Sequence, residues 1–232
     1  MPQPESPRVD LIVVIVGITA LNLATGLALE SWPEAVVHLA GAAAAVAYAR
    51  RRGYSMEDLA LSRGTVWAGV RVGAAVSAVI VAGVVALSIV PFSQDFLADD
   101  RFDDLSTWAA TYEIAFRIPV ITALTEELLF RSVLLAVLLE MTRTVRAVLW
   151  SSLVFGLWHV LTTLNGLDAN EATDSLDGAA AAGGVAAVVV ATGVAGLVFA
   201  WSRLRSKSII APWLIHIAFN ATTFTAGVIL AS

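Results

Sequence analysis

Seven long apolar runs, separated by short polar stretches, limit what this chain can fold into. They lie near residues 10–29, 34–49, 65–91, 108–140, 145–165, 179–202 and 208–230. A helix needs about 20 apolar residues to cross a bilayer, and inside lipid the backbone polar groups are satisfied only in helices or closed barrels. With 58% hydrophobic and 14% charged residues, the chain has little sequence left for a soluble domain. The pattern predicts an all-α polytopic membrane bundle of about seven transmembrane helices, forming one domain over residues 1–232.

The charged residues between the runs alternate in sign along the chain. The basic groups, after the second, fourth and sixth runs, are Arg50, Arg51 and Arg52, then Arg143 and Arg146, then the segment RLRSK. The acidic groups, after the first, third and fifth runs, are Glu30 and Glu34, then five Asp between Asp95 and Asp104, then the segment DANEATDSLD. Cytoplasmic loops of membrane proteins are enriched in Lys and Arg. The alternation therefore predicts a multi-pass protein of the cell membrane with a cytoplasmic N-terminus and its C-terminus outside.

Composition also argues against several classes of function. The chain has no cysteine, so a disulfide framework, a thiol nucleophile and a Cys-based zinc site are impossible. Its formal net charge is -5 and it has no basic domain, so nucleic acid is not an expected partner. Membrane lipids are the partners that the apolar runs imply, and the sequence indicates no oligomeric state.

The fourth run carries three charged residues where contact with lipid would be costly: Glu126, Glu127 and Arg131. Each charge near a helix centre costs roughly 2.5–3.5 kcal/mol on an insertion scale, whereas each Leu, Ile, Phe or Val returns only about 0.3–0.6 kcal/mol. The total is about 9 kcal/mol against about 6 kcal/mol from the thirteen such apolar residues between Ile118 and Leu139, so the charges must face the protein interior or a hydrated cavity. Glu127 and Arg131, four residues apart, are expected to pair. Glu126 has no partner within its own span and must find one elsewhere or take up a proton.

Two of the three histidines lie inside other apolar runs. Phe155 and His159 are four residues apart in FGLWH, and His216 and Asn220 are four apart in HIAFN, so each pair shares a helix face. A single polar residue in a span is more often a hydrogen-bond partner for another helix than a catalyst. Two imidazoles, a carboxamide, an acid and an ion pair together are nevertheless the groups that activate water and stabilise an oxyanion. The third histidine, His38, belongs to no such pair, and we predict a packing or interfacial role for it outside the site.

Several features near these runs predict local structure and imply no catalytic role. Pro119 suits a first helical position, which predicts a short separate helix near 107–117 before the fourth span. Glu113 and Arg117 are four apart and are expected to form a local ion pair. The segment 53–65, GYSMEDLALSRGT, is typical of a short amphipathic connection on the cytoplasmic side.

The sixth run has small residues at four-residue spacing. Ala187, Ala191 and Ala195 would form one face of a helix. Small side chains allow helix backbones to approach closely in membranes, so this face is predicted to pack against another helix.

At the charged and histidine-containing runs the sequence resembles the CPBP intramembrane proteases, which include the type II CAAX prenyl endopeptidases and the bacteriocin-processing or immunity (Abi) proteins. The resemblance covers residues 119–222 and rests on three motifs that follow one another in late spans at separations of roughly 30 and 57 residues. The motifs are EExxxR at Glu126, Glu127 and Arg131, FxxxH at Phe155 and His159, and HxxxN at His216 and Asn220.

The resemblance implies an endopeptidase that hydrolyses a peptide bond of a protein or peptide substrate, for which a CAAX-type or lipidated C-terminus is one option. Glu126 and His159 would activate the water, and His216 and Asn220 would hold the tetrahedral oxyanion. Glu127, Arg131 and Phe155 would be structural or would orient the substrate. The residue chemistry agrees, because Asn can donate a hydrogen bond to an oxyanion without titrating.

Metal dependence stays open at this stage. Names in the family include metalloprotease, and Glu126, His159 and His216 would make a three-ligand zinc site with an open position. The chain has no HExxH or other compact ligand pair. We favour a metal-free glutamate mechanism, with zinc as the alternative.

Two other functions compete with hydrolysis. A bacteriocin-immunity or scaffold protein would keep the fold and motifs but act by binding. A transporter would use the buried Glu and His to relay protons, although the sequence lacks the inverted repeats typical of that class.

Overall fold

The computed structural model of the protein describes residues 6–28, 32–90, 105–168 and 178–231. Within these ranges the chain forms helices and no strand. They are α1 (Pro7–Ala28), α2 (Trp32–Arg51), α3 (Val66–Ser88), α4 (residues 107–141), α5 (Thr144–Asp168), α6 (Gly178–Ser206) and α7 (Ile210–Leu230), with a 3-10 turn at Arg63–Thr65 before α3. The predicted all-α membrane bundle is confirmed.

Five of these helices are long and apolar enough to cross a membrane: α1, α3, α5, α6 and α7. The other two, α2 and α4, are of comparable or greater length but carry more charged residues. The acidic stretches 95–104 and 169–177, on which part of the predicted orientation depends, lie outside the described residues. The orientation of the termini therefore stays a prediction.

The fourth run differs from the prediction, because it is one continuous helical run rather than two helices. After an α-helical start at Thr107–Tyr112, capped by the Ser106 hydroxyl, the chain is π-helical over Glu113–Leu124 and again over Glu127–Leu134, before ending as α-helix at Leu135–Met141. Pro119 lies inside the first π segment, so the predicted break at 107–117 is wrong. In an α-helix the proline ring would clash with the carbonyl four residues earlier, whereas wider π turns at a bulge relieve that clash.

The second half of α4 lies at the centre of the bundle. From Leu129 to Leu138 every residue is buried, as expected for a helix that is covered on all sides. The Trp213 indole of α7 donates a hydrogen bond of 2.8 Å to the Pro119 carbonyl and links the first half of α4 to α7. This central position keeps the charged residues of α4 away from lipid.

Glycines set the closest contact between α5 and α6. A Cβ built on Gly156 would lie 2.6 Å from the Val189 carbonyl oxygen, and one on Gly196 would lie 3.1 Å from Ser152 Cα. The predicted face of α6 packs only in part, since Ala195 lies against the core but Ala187 and Ala191 are exposed. The contact uses another face of the same helix, where glycine lets the two backbones come closer than alanine would.

One end of the bundle is closed by the connection between α2 and α3. Ser132 of α4 donates a 2.7 Å hydrogen bond to the Leu59 carbonyl, and the Ile209 amide donates to the Ala60 carbonyl at 2.9 Å. Beside it, the buried Asp10 of α1 forms an ion pair with Arg52 at 2.7 Å. The connection is therefore tied to α4 and to the start of α7, and α1 is tied to the end of α2.

Candidate active site

Glu126 lies near the middle of α4 and is held by a tryptophan from α5. The Trp158 indole Nε1 donates a hydrogen bond of 3.2 Å to Glu126 Oε1. The other carboxylate oxygen, Oε2, is buried and has no hydrogen-bond partner among the described residues. It lies 3.8 Å from His216 Nε2 and 4.0 Å from His159 Nε2. Three helices, α4, α5 and α7, thus bring the acid and both imidazoles of the predicted site together.

His159 is oriented by its own helix. Its Nδ1 lies 2.9 Å from the Phe155 carbonyl, one turn earlier on α5. A carbonyl only accepts, so Nδ1 carries the hydrogen, and in the neutral ring Nε2 is the nitrogen with a free lone pair. That lone pair is on the Glu126 side, and 22% of the side chain is exposed. His159 is the more exposed of the two histidines, since 5% of the His216 side chain is exposed.

Glu127 connects His216 to Arg131. The predicted ion pair is present, with Arg131 Nη1 3.2 Å from Glu127 Oε1. The same oxygen lies 2.8 Å from His216 Nδ1. This oxygen accepts from Arg131, and as an acceptor towards His216 as well it leaves Nδ1 of His216 as the donor. Neighbouring glutamates therefore lie at opposite nitrogens of one imidazole: Glu127 at Nδ1, and Glu126 nearer Nε2.

Aromatic rings surround the buried guanidinium of Arg131, which is 1% exposed. Its Cζ lies 3.9 Å from the Phe155 ring centroid and 4.8 Å from that of Phe199. Phe199 of α6 also stacks on His216, with centroids 4.9 Å apart and an interplanar angle of 22°. Cation–π contacts of this kind are strongest where water is excluded. The rings hold both Arg131 and the His216 imidazole in position.

Four nearby side chains on α4 each keep a buried polar atom with no hydrogen-bond partner among the described residues. In native proteins such atoms are satisfied by ordered water or by a ligand. Here four of them fall within seven consecutive residues of one largely buried helix. The atoms are Thr125 Oγ1, Glu126 Oε2, Glu127 Oε2 and Arg131 Nη2.

Among the described residues, no hydrogen bond joins Asn220 to this cluster. It lies one turn after His216 on α7 and is half-buried, and its amide makes no hydrogen bond within the described part of the chain. Its predicted role therefore stays a prediction.

His38 and the ion pair at the start of α4 lie beside the site. The His38 ring is 6.0 Å from that of Trp158, and its Nδ1 is 3.6 Å from Glu34. The predicted pair is present, with Glu113 and Arg117 3.4 Å apart. These are packing contacts around the site.

A zinc ion does not fit the three side chains as they are placed. The carboxylate oxygen of Glu126 is 3.8 Å and 4.0 Å from the two imidazole nitrogens. Ligands about 2.0–2.1 Å from a tetrahedral zinc are only about 3.3 Å from one another. Among the described residues no other group of His, Asp or Glu has metal-site spacing.

Sequence reasoning missed two residues of this site. Trp158 immediately precedes His159 and lies inside a span, unlike tryptophans near span ends that anchor helices at the interface, and this placement was the available signal. Phe199 carries no comparable signal, because an apolar residue in an apolar run is uninformative by itself. The link from Glu127 to His216 also could not be predicted, since 89 residues separate the two.

Comparison with known proteins gives one family. Residues 108–222 match the family described as type II CAAX prenyl endopeptidase Rce1-like. The match begins at the start of α4 and includes all seven motif residues. Neither the search among curated proteins nor the search among solved structures gave a match.

Proposed function

Because residues 108–222 match the family described as type II CAAX prenyl endopeptidase Rce1-like, we propose that the protein is an intramembrane endopeptidase using a glutamate-activated water. Its substrate would be a peptide bond of a protein or peptide, and a CAAX-type or lipidated C-terminus is the candidate offered by the family description. The chain would work in the cell membrane, with its N-terminus in the cytoplasm.

The water would be activated between Glu126 and His159. Oε2 of Glu126 is the basic oxygen, because Oε1 already accepts from Trp158. Oε2 and His159 Nε2 are 4.0 Å apart, so a water beside the line that joins them would be within hydrogen-bond distance of both acceptors. As the water oxygen attacks the scissile carbonyl carbon, its proton passes to Oε2. The burial of Glu126 excludes bulk water, which would otherwise compete for this carboxylate.

The negative charge that develops on the carbonyl oxygen would be stabilised by hydrogen-bond donors on α7. Glu127 accepts the Nδ1 hydrogen of His216, so an Nε2 hydrogen is present when this imidazole is protonated and can be donated to the oxyanion. Asn220, one turn away, would supply a second donor. Collapse of the tetrahedral intermediate breaks the C–N bond, and the proton held by Glu126 passes to the departing amine.

The observation that carries this proposal is the approach of one unpartnered carboxylate oxygen to two imidazoles from separate helices. A transporter needs titratable groups arranged along a path, whereas here they surround one oxygen. An immunity or scaffold protein would have no use for a free basic oxygen, yet it would keep the same family fold. Only an activity measurement separates that alternative from hydrolysis.

The test uses purified protein in proteoliposomes with fluorogenic CAAX peptides, prenylated and unprenylated. Glu126→Gln keeps the shape and the Trp158 contact but removes the base, and we expect kcat to fall by about 10²–10⁴-fold. Glu113→Gln, on the same helix but outside the cluster, is the matched control and should retain activity. Cleavage at the wild-type rate by Glu126→Gln contradicts the proposal. Activity abolished by a chelator and restored by zinc contradicts its metal-free form.

A further inference from the structure

A cavity separate from the candidate active site lies at the end of the bundle closed by the α2–α3 connection. Its volume is about 300 Å³, at the lower end of the range for small-molecule sites. We call it the end cavity. The lining residues that bear on a polar ligand are Glu57, Asp58, Thr65, Glu140, Arg203 and Lys207. Glu140 follows Glu126 by fourteen residues, so the two sites are about 20 Å apart along α4.

The end cavity has charges of both signs that do not pair with one another. Glu57, Glu140 and Lys207 have no ion pair within the described ranges. Arg203 is 6% exposed; its terminal nitrogen donates to the Asp58 carbonyl, while its buried Nε has no hydrogen-bond partner in the described part of the chain. A buried guanidinium nitrogen left unsatisfied is costly, and an anionic oxygen would relieve it.

The location of the end cavity identifies the kind of ligand. Glu140 is in the last turn of α4, Arg203 is near the end of α6, and Thr65 is just before α3. Ends of membrane-spanning helices lie at the level of the lipid headgroups. Basic side chains at that level hold lipid phosphates, and Ala136, Leu139 and Leu204 add apolar wall.

The carboxylates of the end cavity further restrict which lipid headgroup can bind there. A lipid with phosphate as its only charge would meet Arg203 and Lys207 but would be repelled by Glu57, Asp58 and Glu140. A primary ammonium two carbons from the phosphate would supply N–H donors to those carboxylates, which would then attract the lipid. A quaternary ammonium has no N–H to donate to them.

We propose that the end cavity binds the aminophosphate headgroup of phosphatidylethanolamine, with Arg203 and Lys207 at the phosphate and Glu57 and Glu140 at the ammonium. This site is independent of the proposed hydrolysis at Glu126. One lipid bound there would connect α4, α6 and the α2–α3 connection to the membrane surface.

The test is native mass spectrometry of the full-length protein with equimolar phosphatidylethanolamine, phosphatidylcholine and phosphatidylglycerol of identical acyl chains. We expect about tenfold tighter binding of phosphatidylethanolamine than of either other lipid, which corresponds to about 1.4 kcal/mol. Soluble glycerophosphoethanolamine should compete, whereas inorganic phosphate alone should not. Equal retention of the three lipids, or displacement by inorganic phosphate alone, would overturn the proposal.

Two exposed residues provide the variants. Lys207 has a φ of 54°, a left-handed conformation that asparagine tolerates, so Lys207→Asn removes the charge with little backbone strain. Glu140→Gln removes one carboxylate without changing its size. Each should weaken phosphatidylethanolamine binding about tenfold, while the control Arg205→Gln, exposed on α6 and outside the cavity lining, should not. Wild-type binding by both cavity variants would refute the assignment, and the lipid comparison on unmodified protein stands even if a variant misfolds.

Discussion

Replacing Trp158 by Phe tests whether the carboxylate at the proposed centre must be held in one orientation. The substitution keeps an aromatic ring between Phe130 and His38 but removes the indole N–H that donates to Glu126 Oε1 at 3.2 Å. A hydrogen bond to a charged group contributes about 1.5–3 kcal/mol. If that contribution is lost in the transition state, kcat falls about 10- to 150-fold. KM should change little, because the indole holds the base and has no role in binding substrate.

The assay is peptide cleavage in proteoliposomes, measured together with the thermal unfolding temperature. Trp150→Phe is the matched control, since Trp150 lies on the same helix but is exposed, and it should leave kcat unchanged. In a Glu126→Gln background Trp158→Phe should have no further effect, because the base that it positions is already absent. A Trp158→Phe protein that cleaves within threefold of the wild-type rate would refute the positioning role. Equal, additive losses in both backgrounds would show that the tryptophan acts only through stability.

Two further predictions concern packing and charge near the site. Gly156→Ala should lower the free energy of unfolding by about 1–3 kcal/mol, because the added methyl group meets the Val189 carbonyl at 2.6 Å. Gly83→Ala should be neutral or stabilising, because no atom of another part of the described chain lies within 4 Å of the added methyl group. Thermal unfolding of both variants in detergent checks this, and an equal shift would contradict it. Glu127→Gln leaves Arg131 buried without its counter-charge and should destabilise the protein by about 3–5 kcal/mol; an unchanged unfolding temperature would show that the rings around Arg131 suffice.

The sequence predicted what depends on composition and on spacing within one helix. The apolar runs indicated the helices, and the four-residue spacing of Glu127 and Arg131 indicated their ion pair. Contacts between helices could not be predicted from the sequence, because the rotation of each helix about its axis depends on packing that involves the whole bundle. The face of α6 used in packing, the link from Glu127 to His216 and the role of Trp158 all depend on such rotations.

Pro119 of α4 shows a second reason why a structural feature could not be predicted from the sequence. Pro119 has the same local preferences at a helix start and at a π bulge, so sequence alone could not separate the two. The energy that decides between them comes from the surroundings. There α7 covers this part of α4, and Trp213 satisfies the Pro119 carbonyl.

The π-helical segments of α4 determine where this chain can change length during evolution. A π bulge is equivalent to one residue inserted into an α-helix, with the flanking turns left in place. Losing one residue within Glu113–Leu124 would convert a wide turn into an ordinary one and leave the downstream glutamates facing inward. In a regular α-helix the same deletion would rotate all downstream residues by about 100° around the helix axis. Gaps in an alignment of distant relatives are therefore expected inside this membrane helix as well as in its loops.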